Sequence, residues 1–196
     1  RWLLRFVFTS PRLLRASLAV GQTLRPLLPE ALRRKVPPRQ SVNPVTVSNH
    51  ARKMLVLAGC VQQAATPATN AIAGKLLDRL GITLITAEQA GCCGALDYHL
   101  AAHEQGLERM RRNIDAWWPH IEQGCEAIIS SASGCGAMLV DYGRLLAADP
   151  AYAAKALRVS AMSRDLGQIL LAEDLDALQI ITRVGKVAVH TPCSMQ

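Results

Sequence analysis

The 196-residue chain is 50% hydrophobic and only 4% aromatic, with a formal charge of +7. That is enough apolar material for one domain with a sizeable core built from Ala, Leu, Val and Ile, and the lack of any run of about 20 uncharged apolar residues argues against a membrane-spanning helix. The charge sits at one end: residues 1–53 hold 11 Lys and Arg against Glu30 alone, a net +10, while residues 54–196 hold 11 against 14 acids, a net −3.

Residues 1–40 read as short amphipathic helices punctuated by Pro11, Pro26, Pro29, Pro37 and Pro38. The stretch Pro37 to Asn49 reads as an extended linker, which puts a boundary near residue 50. A basic, Leu-rich segment of this kind can meet nucleic acid, anionic lipid or an acidic partner subunit, or can simply be a solvated helical face. Trp2, Phe6 and Phe8 lie at its very start with no aromatic–basic interleaving beyond them, which counts against nucleic acid. The N-terminus shows no secretory pattern. Beginning at Arg1 and ending in Cys193-Ser194-Met195-Gln196, the chain reads as cut at both ends.

After residue 50, strand and helix alternate. The short apolar run Met54 to Ala58 is of buried-strand type and ends in Gly59-Cys60. A helix follows from about Pro67, with Thr66 as its N-cap, and stops at Gly81. Ile82 to Thr86 is the second strand and leads to Gly91-Cys92-Cys93-Gly94. A long helix covers roughly His99 to Ile121. Ala127 to Ser130 is the third strand, leading to Ser133-Gly134-Cys135-Gly136 and a helix from Ala137 to Ala148. A helix around Ser163 to Leu171 takes Ser163 as cap and Asp165 in its first turn. Val187 to His190 is the last strand and leads to Thr191-Pro192-Cys193. The expected fold is α/β: a parallel sheet with helices on both faces, the cysteine loops at the carboxyl ends of the strands, and a basic helical arm in front. The expected division is arm and linker 1–50, cysteine-rich domain 51–185, and the start of a further unit at 186–196.

Five of the six cysteines, Cys60, Cys92, Cys93, Cys135 and Cys193, follow strands, so the fold gathers them at one edge of the sheet. Cys125 precedes its strand and reads as a small buried hydrophobe. Without a secretory signal, cysteines in a helix-rich Ala/Leu chain point to metal binding or catalysis rather than structural disulfides. Thiolates ligate iron–sulfur clusters and soft metals, and they must converge from several loops to do so. Glycines 59, 91, 94, 134 and 136 beside them permit unusual backbone angles and close approach. Cys135 falls at a helix N-terminus, where the dipole favours a thiolate.

Cys60, Cys92-Cys93-Gly94 and Ser133-Gly134-Cys135-Gly136 together resemble the cysteine-rich CCG domain. That domain occurs, usually as a tandem pair, in heterodisulfide reductase, glycolate oxidase iron–sulfur subunits, lactate-utilisation proteins and anaerobic glycerol-3-phosphate dehydrogenase. His190-Thr191-Pro192-Cys193 looks like the opening of a second copy, and Leu24 to Pro29 is most like the segment after the ferredoxin-type clusters of the glycolate oxidase subunit. The resemblance implies electron transfer by an iron–sulfur cluster, of 4Fe-4S type, on Cys60, Cys92, Cys93 and Cys135, with Cys193 a further cofactor-binding cysteine. It implies a flavin-containing partner subunit that oxidises a 2-hydroxy acid, no catalytic residue in this chain, and a cytoplasmic location at the inner face of the membrane, where the basic arm offers a surface contact. The family's Cys-x-x-Cys-x-x-Cys motif and any Gly-rich flavin or nicotinamide loop are absent from these 196 residues. In one departure, Ala132 stands where the heterodisulfide reductase version has the first member of a Cys-x-x-Cys pair. The four cysteines left would serve an ordinary four-iron cluster, a zinc ion or a dithiol–disulfide pair.

A thiol–disulfide reductase with a labile Cys92–Cys93 pair is therefore a competing reading. A nucleic-acid module using the arm and a structural zinc protein rank below it, the latter because closely spaced Cys pairs are missing. His99 and His103, four apart, share a face if one helix carries both, and are expected to be exposed or capping. His190 either tunes a nearby cluster or fills the sheet edge. Trp117 and Trp118 are expected to pack, and Asp97 and Tyr98 to hydrogen-bond around the cysteine loop.

Overall fold

The computed structural model describes residues 2–40, 48–179 and 185–186. Three helices come first: α1 (Trp2–Phe8), α2 (Pro11–Leu24) and, after a 3₁₀ turn at Arg25–Leu27, α3 (Glu30–Arg33). Ser10 caps α2 by accepting the Leu13 N–H, and Pro11 fills the first position, where no N–H is needed. Strand β1 (Arg52–Val56) opens the α/β unit and is followed by α4 (Cys60–Ala65), α5 (Ala68–Arg79) and β2 (Ile82–Ile85). Then come α6 (Ala95–His99), α7 (His103–Glu122) and β3 (Ile128–Ser130). The chain continues through α8 (Ser133–Leu145), α9 (Ala153–Met162), β4 (Ser163–Asp165) and α10 (Leu166–Leu171).

The four strands form one all-parallel sheet in the order β2-β1-β3-β4. Side chains alternate across it. Leu55, Leu57 and Ile128 pack with Met110, Ile114, Trp117, Leu139, Tyr142 and Val159 of α7, α8 and α9 on one face. Met54, Ala127 and Ile129 pack with Leu77 and Ile169 of α5 and α10 on the other. Each fully buried large side chain stabilises by about 1.5–3 kcal/mol through area removed from water. With right-handed crossovers, helices change face when the chain reverses its direction across the sheet. Here it steps from β1 out to β2 and then returns past β1 to β3. The reversal leaves a crevice between the carboxyl ends of β1 and β3, where open α/β sheets take their ligands.

The expected parallel α/β architecture with helices on both faces is what the chain forms, and three of the expected strands are present. Several details differ. The expected helix at 163–171 is divided: Ser163–Asp165 is a polar edge strand on β3, and Asp165 is the N-cap of α10, forming a reciprocal capping box with Gln168. A strand this short and polar has no periodic signature. The expected long helix at 99–121 is present but begins at His103, after the separate short helix α6; the two are parted where Ala101 takes φ +65, a conformation that nothing in its residue type announces. The helix expected to begin at Ala137 begins at Ser133, and α9 has no counterpart among the expected elements. Val187 to His190, with His190 and Cys193, lies outside the described residues.

The N-terminal helices lie against the α/β unit rather than apart from it. Arg5 of α1 donates through Nε to Asp97 Oδ1 at 2.7 Å, and Arg15 of α2 donates to Gln63 Oε1 of α4 at 3.2 Å. α1 buries no residue, while α2 buries Leu14. Trp2 and Phe6 stack on each other with centroids 5.2 Å apart and remain exposed. No helix among the described residues is long and apolar enough to cross a membrane.

Candidate thiol centre

Cys60 begins α4 directly after β1, and Cys135 lies in the first turn of α8 directly after β3. They therefore flank the crevice at the strand reversal. Cys92 and Cys93 come in from the loop after β2. The Cys60 thiol donates to Cys92 Sγ at 3.4 Å, and Cys93 lies beside Cys92 and Cys135, close enough to shift the ionisation of both. So four sulfurs, from three strand ends up to 75 residues apart in sequence, meet in one place. Cys60, Cys92 and Cys93 are buried and Cys135 is half-buried.

These sulfurs titrate together. Hydrogen bonds from the Cys60 and Cys93 thiols hold Cys92 well below the usual thiol range, aided by the nearby Arg109 charge. The Cys93 hydrogen bond likewise lowers Cys135. The two donors move the other way: Cys60 is raised by its bond to Cys92 and by burial, and Cys93 by its bonds to Cys135 and Cys92 and by burial. Cys125 is separate, buried in the core at the amino end of β3, and its thiol is raised by burial.

The CCG loop is held by two buried side chains that sequence reasoning missed. Asn113 and Tyr142 are both 0% exposed. Asn113 Oδ1 accepts the Gly91 N–H at 2.8 Å, and its Nδ2 donates to the Cys92 carbonyl at 2.9 Å and to the Tyr142 hydroxyl at 3.1 Å. Tyr142 passes its own proton on, donating to the Cys93 carbonyl at 2.9 Å. Burial pushes the Tyr142 ionisation well above its ordinary value, so the hydroxyl remains a donor. Every amide N–H of Asn113 is used, which also settles the orientation of the amide. A signal was present: Met110, Asn113, Ile114 and Trp117 form the buried stripe of α7, and a lone asparagine in an apolar stripe must have built-in partners. Tyr142→Phe strands the Cys93 carbonyl and one Asn113 N–H, and is expected to cost about 2 kcal/mol, seen as a melting temperature lower by roughly 4–8 °C. An unchanged melt would show that the hydroxyl does not hold the loop.

Of the flanking glycines, one requires its residue type. Gly94 has φ +89 and caps α6, and a Cβ there would lie 2.7 Å from the Gly106 carbonyl oxygen of α7. Gly59, Gly91, Gly134 and Gly136 have no positive φ, and an added Cβ would meet nothing closer than 3.3 Å, so the freedom expected of them is not used. Below the loop, Asp97 is 1% exposed and ion-pairs with both Arg5 and Arg109, and Arg109 also donates to Thr9 Oγ1 at 3.0 Å. His99 and His103 fall on different helices because of the break at Ala101. Both lie edge-on to Tyr98, at centroid distances of 6.2 and 4.6 Å. Trp117 is fully buried, and Lys155 sits 5.0 Å over the Trp118 ring.

Among the described residues, no three His, Cys, Asp or Glu side chains are arranged to hold a single metal ion. The thiols are instead joined pairwise. The donor set is four sulfurs, three of them buried. In number and chemistry this fits a cluster ligated by four cysteines.

An all-parallel α/β unit with thiols gathered at the carboxyl ends of its strands defines a cysteine-rich domain. Residues 54–140 match the family model of the cysteine-rich (CCG) domain. It is 48% identical to the glycolate oxidase iron-sulfur subunit of Escherichia coli K12, over 98% of this chain and 47% of that protein. It is 26% identical to the probable glycolate oxidase iron-sulfur subunit of Bacillus subtilis, over 91% of this chain and 39% of that protein. Lactate utilization protein A of Geobacillus kaustophilus is 28% identical over 62% of this chain and 48% of its own length. The chain spans about half the length of the curated relatives it matches. No solved structure matches it.

Proposed function

We propose that this chain is the cysteine-rich part of an electron-transfer iron–sulfur subunit in a flavin-linked 2-hydroxy-acid oxidase complex of glycolate type. The observation that carries the reading is the convergence of Cys60, Cys92, Cys93 and Cys135 at the strand reversal. The names of the relatives support it. These four cysteines would hold a 4Fe-4S cluster, which when bound supplies one-electron transfer. Around it, Asn113 and Tyr142 orient the two loop cysteines, and Arg109 sets a positive field at Cys92. The flavin and the oxidation of the hydroxy acid belong to a partner subunit. Cys193 would open a second CCG unit at 186–196. The exposed Trp2, Leu3 and Phe6, beside the arginines of the first 53 residues, support contact of the arm with an anionic membrane surface on the cytoplasmic side.

The test is made in the assembled complex. With Cys135→Ser, hydroxy acid still reduces the flavin, while onward transfer to a quinone falls to background. Undiminished onward transfer would overturn the proposal. A dithiol–disulfide module is the second reading, favoured by the 3.4 Å contact of Cys60 with Cys92. It requires Cys92 and Cys93 to react as free thiols in protein prepared without iron and to cycle with a small disulfide.

A further inference from the structure

Between the N-terminal helices and the CCG loop lies a cavity of about 900 Å³, a size typical of small-molecule sites. Cys92 forms part of its wall. Arg5, Arg12, Arg15, Arg109 and Arg112 also line it, against only two carboxylates, Asp97 and Glu88. The lining therefore carries three uncompensated positive charges.

Two of these arginines are set in place by the fold. Arg5 and Arg109 each turn their Nε edge to the buried Asp97, and Arg109 spends one terminal amino group on Thr9. The Arg5 amino groups and the second Arg109 amino group have no protein acceptor among the described residues. Their side chains are still about a quarter exposed, at 24% and 23%. Arg15 gives one N–H to the neutral Gln63 amide. Arg12 and Arg112, at the rim, have no carboxylate partner among the described residues. Guanidinium groups held by a buried carboxylate are already oriented, so little side-chain entropy is lost when a ligand engages them. Their forked donors match the paired oxygens of carboxylate and phosphate. One cavity holding several like charges is stabilised by an anion that neutralises them.

We propose that this cavity binds a small organic polyanion carrying two or three carboxylate or phosphate groups, seated against Cys92. The site is formed by protein side chains alone, so its occupancy does not depend on the iron–sulfur reading.

Isothermal titration of the chain with tricarballylate, inorganic phosphate and acetate tests the site. Saturable one-to-one binding of tricarballylate or phosphate is expected, with a Kd below about 1 mM and acetate at least roughly tenfold weaker. The tighter of the two identifies the class as carboxylate or phosphate. Added salt should weaken it. The variant carrying Arg12→Glu and Arg112→Glu should bind at least roughly tenfold more weakly with an unchanged melting temperature, because neither side chain is buried. Absence of saturable binding, equal affinity for acetate, or unaltered affinity in the folded double variant would overturn the proposal. So would hexaglutamate binding roughly a hundredfold more tightly than tricarballylate, which would assign the surface to an acidic protein segment. The readout needs no iron, so a negative result leaves the cluster assignment standing.

Discussion

Replacing Gly94 with alanine is expected to lower the stability of the chain by at least about 3 kcal/mol, a fall in melting temperature of roughly 6–12 °C. Two costs add. A residue with a Cβ at φ +89 pays about 1–2 kcal/mol for the left-handed backbone alone. The new methyl group also lies 2.7 Å from the Gly106 carbonyl oxygen, which belongs to helix backbone and cannot swing aside. The start of α6 must move off α7, and Cys92 and Cys93 immediately before it move too. Gly134→Ala is the matched control. It sits in the first turn of α8 with nothing within 4 Å of its added Cβ, so alanine there should be neutral or stabilising by up to about 1 kcal/mol. Equal effects at the two glycines would contradict this account of the loop.

Asp97→Ala is expected to cost about 3 kcal/mol, less than the upper range for a fully buried pair because its two arginines are partly solvated. The carboxylate is 1% exposed and joins Arg5 of α1 to Arg109 of α7. Its loss leaves two guanidinium groups facing each other and releases the N-terminal helix from the domain. Denaturant unfolding of Asp97→Ala, Arg109→Ala and the double variant measures this. The double variant should be more stable than the sum of the singles predicts, by at least about 1 kcal/mol. Strict additivity would mean that the ion pair does not link the two helices.

The strand ends were legible because β1, β2 and β3 are apolar runs closed by glycine or small polar residues, and such runs have few alternatives in an alternating pattern. Once the sheet is parallel, residues after strands share one edge, so the sequence alone groups Cys60, Cys92, Cys93 and Cys135. β4 was hidden because Ser163, Arg164 and Asp165 form a strand through edge pairing with β3, not through their own propensity. The break at Ala101 was hidden for a related reason: tertiary packing of α6 on α7 overrides a residue type that favours helix continuation. Asn113 was readable as a polar residue in an apolar stripe, although its partners were not. The link from Arg5 to Asp97 spans 92 residues, and no local pattern encodes a pairing of that kind. Glycines 59, 91, 94, 134 and 136 looked alike in sequence, yet among these five only Gly94 takes the backbone angle that its type allows.

The four gathered thiols are proposed to hold an iron–sulfur cluster. The most direct measurement is iron and acid-labile sulfide after anaerobic reconstitution of the chain, of Cys93→Ala and of Cys125→Ala. About four iron and four sulfide per chain are expected, lost in Cys93→Ala and retained in Cys125→Ala, whose thiol lies in the core away from the centre. No bound iron in the unaltered chain, with Cys92 and Cys93 titrating as reactive thiols, would contradict it.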